Sequence, residues 1–454
     1  MKYDIFSSTA PAMPRADKST KFISFILSKA SKDMREALVP MIMPALSAHL
    51  TEIEFMYSDQ KYYEMSGQMG HLIGPSGIGK AQLTHLIEAV MRSFRQHDET
   101  EFQKLTEWQR QVKTRGANKE KPERPDVSFW FPPANMTNAA FLQNAMALEK
   151  QGRRTQYLNL PEVEQADNMF GGHKQVSQMV RNIYDCQRAG ALRATAEGVT
   201  GNPKLRVNLT FSSTPDAART FYKKDITNGF FGRIPFVYKG RSGKRSGKIP
   251  KQGTYSEEFL EKLDSYLVKL DSCKGRFIVR SLNAKANRLA EEMAQIADIT
   301  DDDTLWELSH RSIFAAWKKA AVLWILNNQT WTHHIGDMME WFCYYDLWSK
   351  VHVFGDMFSP SNSVNEETVR KNGPRNMLED LPNTFSTQQL EALRLGAGKS
   401  QKGTAVQLSM WKSRGLVTYS EETKMYTKTE LYKTIANPEL KASPLGETIR
   451  TARS

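Results

Sequence analysis

Short apolar runs alternate with amphipathic segments along the first half of the chain. Apolar residues at helical spacing predict helices over residues 21–50, 81–95, 138–151 and 176–188. Short runs rich in apolar residues predict strands over residues 51–56, 62–73, 127–131, 157–160, 191–196, 205–212 and 234–238. Strands that alternate with helices are typical of a largely parallel sheet covered by helices, so the predicted fold class is α/β.

The second half of the chain has a different pattern. Residues 256–358 have helical periodicity and are rich in Trp and Met, which predicts a packed helical core rather than a cofactor site. The charged stretch 96–125 has few apolar positions and is interpreted as a surface insertion. The predicted organisation is a polar leader (1–20), an α/β domain with a helical lead-in (21–240), a basic linker or loop (241–255), a helical domain (256–360), a linker (361–377), a small third unit (378–432) and a polar tail (433–454).

Composition and charge limit the kinds of molecule that the chain is expected to bind and the compartment in which it is expected to act. The formal net charge of +12 favours nucleic acid or an acidic membrane surface, with a solvated basic surface as the alternative. The three cysteines are far apart and form no C-x-x-C pair, so we predict neither a zinc site nor a disulfide framework, and a reducing cytosol is the natural setting. The chain start lacks the apolar core of a signal peptide, and the apolar stretch 37–50 is too short to span a bilayer. We therefore expect a cytoplasmic protein with no membrane partner.

One short motif carries specific chemistry. Residues 74–80, Gly-Pro-Ser-Gly-Ile-Gly-Lys, fit the pattern G-x-x-x-x-G-K between a predicted apolar strand and a predicted amphipathic helix. Glycines allow backbone N–H groups to turn around phosphates, and Lys80 would place a positive charge on the β and γ oxygens. The alternative is a glycine-rich turn that arose by chance. The pattern predicts a nucleoside-triphosphate site formed by Gly74, Pro75, Ser76, Gly77, Ile78, Gly79, Lys80 and Ala81.

The motif departs from its usual form at one position. The Ser or Thr that normally ligates Mg²⁺ after the lysine is Ala81, and the hydroxyl of Thr84 lies almost one helical turn further on. We therefore expect Mg²⁺ to be held weakly or through water. ATP and Mg²⁺ are the predicted cofactors.

A hydrolytic site also needs an acid on a neighbouring strand. Glu162 follows the predicted strand 157–160 and is the candidate for activating water, with Glu164 as the alternative base. The Asp that commonly precedes such a Glu is Pro161 here, so a second metal contact is missing. Glu162 could also be an exposed loop carboxylate.

Two further positions suit nucleotide chemistry. Ser213 lies in Ser-Ser-Thr-Pro at the end of the strand over 205–212, where a hydroxyl could sense the γ-phosphate; ordinary turn chemistry is the alternative. Arg233 follows Asn-Gly-Phe-Phe-Gly and could reach the nucleotide of a neighbouring subunit, as an arginine finger does. A structural arginine paired within its own chain is equally consistent.

The order of these pieces resembles the P-loop helicase-like ATPases of mobile genetic elements and phages, which are often encoded beside or fused to primase domains and include domains of unknown function. The matching pieces are a proline-containing helix (34–50), the loop 74–80, Glu162, the strand end 212–215 and the block 228–233. The resemblance covers residues 20–240. It implies a RecA/AAA+-like core of the additional-strand type, assembly into a homo-oligomeric ring, action on DNA in element replication, and a primase or another replication or transfer protein as partner.

Two basic places in the first domain could contact DNA. Arg193, Lys204 and Arg206 flank the turn 198–203, and ring helicases carry a hairpin just before the sensor strand that points into the pore. Lys244 and Arg245 lie in the Gly/Ser-rich run 239–251, which has no apolar pattern.

The third basic place is the small unit over 378–432. A capped helix over 384–393, a second helix over 404–412 and a hairpin over 415–428 follow the order of a winged helix. The second helix would enter the major groove and the hairpin would touch the backbone, or the unit would bind a protein instead. The phosphate contacts that this arrangement predicts are Lys399, Lys402, Lys412, Arg414 and Lys424.

These predictions support two hypotheses. The first is an ATP-dependent DNA helicase or translocase for replication of a mobile element, in which Lys80 holds phosphate, Glu162 activates water, Ser213 senses and Arg233 acts between subunits. The second is an ATP-switched DNA-binding initiator or adaptor with little or no hydrolysis, because Ala81 and Pro161 weaken the metal site. A small-molecule kinase would explain neither the charge nor the third unit.

Overall fold

The computed structural model describes residues 3–15, 20–114, 122–192, 199–226, 229–241, 254–300, 303–358, 377–397, 399–413, 415–430 and 432. The chain forms two compact units. One consists of Ala12–Asn287 and Ser312–Asp346, and the other of Met1–Pro11, Arg288–Arg311 and Leu347–Ser454. The segment predicted as a helical domain, 256–360, contributes to both.

Helices and strands alternate along most of the described chain. Residues 20–160 contain α1 (Lys21–Leu27), α2 (Arg35–Ala48), β1 (Glu52–Met56), β2 (Tyr62–Glu64), β3 (Met69–Ile73), α3 (Ala81–Val90), α4 (Arg92–Thr114), α5 (Asn138–Lys150) and β4 (Gln156–Leu160). Residues 161–300 contain α6 (Gln165–Phe170), α7 (His173–Tyr184), β5 (Val207–Ser213), α8 (Pro215–Tyr222), α9 (Phe230–Arg233), β6 (Phe236–Tyr238), α10 (Glu257–Asp271), β7 (Lys274–Phe277) and α11 (Arg280–Thr300). Residues 303–430 contain α12 (Asp303–Leu326), α13 (His333–Phe354), α14 (Met377–Asp380), β8 (Thr384–Phe385), α15 (Thr387–Gly396), α16 (Thr404–Ser413), β9 (Val417–Ser420) and β10 (Met425–Lys428).

A parallel sheet with strand order β4-β5-β3-β6 forms the centre of the first unit. Every residue of β3 is buried, as expected for a strand covered on both faces, and this explains its continuous apolar run. Helix α2 packs against β3 and β5 and is buried from Ala37 to Ala48. It contains Pro40 and Pro44, and Asn208 of β5 donates a hydrogen bond to the Pro44 carbonyl. The predicted mixed α/β class with a parallel sheet is confirmed.

The strand predicted over 62–73 is two strands in two sheets, so this prediction was wrong. Strand β2 belongs to a sheet of order β2-β1-β7, and β3 belongs to the central sheet. The chain turns between them at Gly67, whose φ is +78° and where a Cβ atom would lie 2.6 Å from the Tyr184 carbonyl oxygen. Strand β7, in the segment predicted to be helical throughout, pairs in parallel with β1. Its exposed residues show no apolar alternation, so periodicity could not indicate it.

The stretch 96–125 was predicted as a surface insertion, but much of it continues helix α4 as far as Thr114. Phe94, Asp98 and Glu101 form its buried face, and Glu107 and Arg110 pair on its exposed face. The segment 127–131, which was predicted as a strand, does not form one, although the Trp130 carbonyl accepts a hydrogen bond from the N–H of Tyr157 in β4. The helix predicted over 21–50 is divided into α1 and α2.

The second unit contains a small antiparallel sheet of order β8-β10-β9. Helices α15 and α16 pack on it through a core that includes Phe385, Leu390 and Trp411. Helix α15 begins with a capping box, in which Ser386 and Gln389 each bond the backbone N–H of the other. The predicted sequence of two helices followed by a hairpin is therefore present.

A search of the described helices finds none with the length and apolar character needed to cross a bilayer.

Candidate nucleotide site

The glycine-rich loop lies between β3 and α3. Gly77 and Gly79 have φ values of +79° and +92°, which side-chain-bearing residues rarely adopt. At Gly74 a Cβ atom would lie 2.8 Å from the Lys239 carbonyl oxygen, so only glycine fits beside the chain that leaves β6. The loop conformation therefore depends on the glycines at the spacing that the motif predicts.

Lys80 points back to the carboxyl ends of two parallel strands. Its Nζ donates hydrogen bonds to the carbonyl oxygens of Gly74 and Ser213, both at 2.9 Å. An ammonium group has three donors, and these are its two hydrogen bonds among the described residues. One donor thus remains for an anion in the loop.

Burial lowers the pKa of Lys80, and the nearby Glu162 carboxylate opposes that shift. Glu162 follows β4, whose carboxyl end lies at the same edge of the parallel sheet as that of β3. The two residues that the sequence predicted to hold phosphate and to activate water therefore share one edge of the sheet.

Helix α3 begins at the loop without a side-chain cap. Lys80 is its N-cap residue and makes no capping hydrogen bond, and its first turn contains no acidic residue. Backbone N–H groups at the start of an uncapped helix favour an anion, because the helix dipole adds partial positive charge there.

The position that usually supplies a metal-binding hydroxyl has none. Ala81 is exposed, and Thr84 is half-buried further along α3. Gln82 is buried and faces away from solvent, where its amide exchanges hydrogen bonds with the backbone N–H and hydroxyl of Ser31, at 3.1 and 2.9 Å. These two hydrogen bonds connect the start of α3 to the segment before α2. They supply no metal ligand, so the expectation that Mg²⁺ is held weakly is unchanged.

The segment after β4 carries the predicted acid. Glu162 and Glu164 are both exposed, and Glu164 is the N-cap residue of α6. The hydroxyl of Ser212 donates to the Pro161 carbonyl at 2.9 Å, which holds this segment against the end of β5. Pro161 thus contributes a backbone acceptor where a carboxylate was expected.

Ser213 contacts the site through its backbone rather than its hydroxyl. Its carbonyl accepts from Lys80, while its buried hydroxyl lies 2.8 Å from Nε2 of His71. Successive side chains of a strand point to opposite faces, so Ser212 and Ser213 cannot both face the loop edge in the same way. The hydroxyl that was predicted to sense the γ-phosphate is therefore directed to the buried ring of His71.

His71 is a buried residue that the sequence analysis missed. It lies in the middle of β3, with Nδ1 2.9 Å from the Tyr222 hydroxyl and Nε2 on Ser213. Burial, with a smaller contribution from the Lys80 charge, lowers the pKa of His71 to about 3. The ring is therefore neutral and links α8 to the strands that hold Lys80. A histidine one place before Leu-Ile-Gly in an apolar strand was the available signal.

Arg233 is held within its own chain. Its guanidinium donates to the Gly229 carbonyl at 2.8 Å and to Asp185 at 3.1 Å, and the side chain is largely buried. This geometry is that of the structural arginine weighed as the alternative to a finger. A finger role would require the Asp185 ion pair to open.

Lys204 and Arg206 share one acidic partner. Glu64 accepts from Lys204 at 2.7 Å and from two nitrogens of Arg206 at 2.8 and 3.0 Å. Burial alone would raise the pKa of Glu64, but these hydrogen bonds outweigh it and lower the pKa. The two residues were predicted to contact DNA, yet both already pair with this one carboxylate at the base of the hairpin, which offsets half of their charge.

The base of that hairpin is visible as two antiparallel bridges, Arg188 with Lys204 and Ala191 with Gly201. Arg193 is outside the described residues, as are Lys244, Arg245, Arg414 and the side chain of Lys402. In the second unit Lys412 is exposed on α16, and Lys424 is exposed at the tip of the β9–β10 hairpin.

One further cluster was not indicated by the sequence. The ligand atoms of His333, His334 and Asp337 lie within 4.8 Å of one another at the start of α13. A cation there would meet the positive end of the helix dipole. We therefore assign no ion to this cluster.

No protein-family model matches this chain, and no curated protein is similar to it. Its candidate site is defined by the loop, Lys80 and Glu162, which the fold brings to one sheet edge. Among the described residues, Ser213 contributes a carbonyl to that edge.

Proposed function

We propose that this protein binds ATP in the loop 74–80 and is a DNA-handling ATPase of the P-loop class, a helicase or translocase of a mobile element. The observation that carries the proposal is the position of Lys80. Its ammonium is held where the carboxyl ends of β3 and β5 meet the N-terminus of α3. Open parallel sheets bind ligands at the carboxyl ends of their strands.

The strand order supports the same class. Strand β5 lies between β3, which leads into the loop, and β4, which leads to Glu162. An added strand between the loop-bearing and acid-bearing strands is the arrangement that the resemblance to RecA/AAA+-like ATPases implies. Glu162 is then the residue that activates water, with Mg²⁺ and ATP as cofactors.

DNA as partner rests on charge and on the second unit. The net charge is +12, and α15, α16 and the β9–β10 hairpin follow the order of a winged helix. Lys412 and Lys424 are exposed on the helix and hairpin that would face DNA. Lys424 pairs with exposed Glu421 at 3.5 Å, and such surface pairs contribute little and give way readily to phosphate.

A second function has its own support. Ala81 supplies no hydroxyl, Pro161 supplies no carboxylate, and the Ser213 hydroxyl is bonded to His71. These features favour an ATP-switched initiator or adaptor that binds ATP tightly and hydrolyses it slowly. Such a protein would assemble on DNA in an ATP-dependent way, in a ring or another homo-oligomer.

A binding titration separates the proposal from a chance glycine turn. Affinity for a fluorescent ATP analogue is measured for the native protein, for Lys80→Ala and for Lys29→Ala, an exposed lysine outside the site. Loss of a charge-assisted phosphate contact lowers affinity by about tenfold to a hundredfold in Lys80→Ala alone. Equal affinities in all three proteins would refute nucleotide binding in this loop.

A further inference from the structure

A basic cavity lies on the first unit, between α1, α10 and the end of α12. Its volume is about 300 Å³, at the lower end of the range for small-ligand sites. Three lysines, one serine, one tyrosine and two asparagines supply its polar lining: Lys21, Lys262, Lys269, Ser265, Tyr266, Asn327 and Asn328. No residue predicted from the sequence to bind nucleotide or DNA lines it.

The lining carries positive charge without compensation. None of the residues that line the cavity is acidic. Lys262, Tyr266 and Lys269 lie three to four residues apart and so share one face of α10. Among the acids of α10, Glu257 and Asp264 pair with Arg92, and Asp271 pairs with His49 and Arg154. None of the five acids of α10 lines the cavity, so the lining itself is basic.

The aromatic ring in the lining is firmly supported. Tyr266 stacks on Phe25 at 5.6 Å between centroids and meets Phe22 edge-on at 5.2 Å. The Lys269 ammonium lies 5.5 Å from the Tyr266 ring and donates to the side-chain oxygen of Asn328 at 3.1 Å. Asn328 has a φ of +54°, so the turn after α12 presents its amide towards this lysine. The cavity combines point charges, a fixed ring and an amide.

We propose that this cavity binds single-stranded DNA, with backbone phosphates on Lys21, Lys262 and Lys269 and one base beside the Tyr266 ring. Proteins that grip single strands without sequence preference combine a basic track with aromatic rings. Lysines make point contacts to phosphate without the paired geometry of arginine, which suits a strand that slides. The three lysines are exposed and spread over two helices, as a run of phosphates requires. The site rests on the proposed DNA handling but needs no bound ATP.

The test is fluorescence anisotropy of a labelled oligo(dT) of about 20 nucleotides with the full chain, without ATP, over a range of salt. The variant is Lys262→Glu with Lys269→Glu. The matched control is Lys223→Glu with Lys224→Glu, which makes the same change in net charge at two exposed lysines outside the cavity. Because all four substituted lysines are exposed, both double variants are expected to fold, and circular dichroism checks this.

We expect the cavity variant to bind at least about tenfold more weakly than the control at low salt. The slope of log affinity against log salt should fall by about 0.7 for each lost phosphate contact, so by about 1.4 in total. Equal affinity and equal slope in the two variants would overturn the site.

Turnover of ATP in the absence of DNA distinguishes failure of the cavity site from failure of the proposed ATPase function. The cavity variant should retain it at the native rate, because neither lysine touches the loop. A native protein that shows no turnover, yet binds oligo(dT) through these lysines, would refute the motor and leave the cavity site intact.

Discussion

The two halves of the candidate nucleotide site differ in completeness. The phosphate half has its glycines in the required backbone conformation, an uncapped helix start, and Lys80 anchored on two strand ends. The hydrolytic half has one exposed acid, Glu162, while Ala81 lacks a hydroxyl and Ser213 turns its hydroxyl to His71. The residues proposed to bind phosphate are not the ones proposed to activate water. The difference indicates that binding and turnover can be separated in this protein.

The largest expected effect concerns Glu162. In Glu162→Gln the candidate base is removed without a change in size, so turnover should fall by about a hundredfold or more. Affinity for ATP should stay within about twofold, because Lys80, which we propose to hold the phosphates, is unchanged. Steady-state phosphate release measures turnover, and a binding titration measures the affinity for ATP. Glu164→Gln is the matched control, and loss of turnover in it instead would move the base to Glu164.

The second prediction concerns the metal-binding hydroxyl that is missing at Ala81. Ala81→Ser returns a hydroxyl to the position that normally ligates Mg²⁺, at an exposed site where the small side chain has room. We expect turnover to rise by about tenfold and half-saturation by Mg²⁺ to shift to lower concentration. Affinity for ATP without Mg²⁺ should not change. If Ala81→Ser leaves the Mg²⁺ dependence as it was, metal does not reach this edge of the site.

A substitution at Ser213 distinguishes a structural role of its hydroxyl from a role in sensing the γ-phosphate. Ser213→Ala removes one of the two hydroxyl partners of buried His71, the one at Nε2, which should lower the free energy of unfolding by about 1–3 kcal/mol. Turnover of the folded protein should change by less than about twofold. Urea denaturation and phosphate release measure both, with Ser212→Ala as the neighbouring control. A turnover loss above tenfold at native stability would restore the sensor role.

The smallest effect is a pH dependence of binding. Burial lowers the pKa of Lys80 below its ordinary 10.5. The charged ammonium is the form that attracts phosphate, so its contribution is complete below the lowered pKa and is lost as pH rises through it. Affinity for ATP should therefore fall several-fold over the pH range in which Lys80 loses its proton, and this range begins at lower pH than for a free lysine. Lys80→Arg, whose guanidinium stays charged, should bind with a flat profile over this range, and a parallel decline in it would assign the effect to another group.

Local signals in the sequence were enough to predict several features. The loop 74–80 follows from its glycines and lysine, and β3, β4 and β5 follow from short apolar runs. The capped helix α15 follows from Ser386 and Gln389. Each of these depends on neighbours within a few residues, which a sequence displays directly.

The features that were missed depend on contacts between distant parts of the chain. Glu64 pairs with both Lys204 and Arg206 from another strand, and no local pattern places it there. Strand β7 exists because β1 offers it an edge. The direction of the Ser213 hydroxyl depends on the side-chain phase of β5, which a one-residue shift would reverse. The basic cavity likewise needs three separate helices.

The most direct test of the central claim is phosphate release from Mg²⁺-ATP, with and without single-stranded DNA, for the native protein and Lys80→Ala. We expect slow release that DNA stimulates and that Lys80→Ala abolishes. No release from the native protein, with ATP-dependent DNA binding retained, would select the initiator. Release that persists unchanged in Lys80→Ala would contradict the assignment of ATP to this loop.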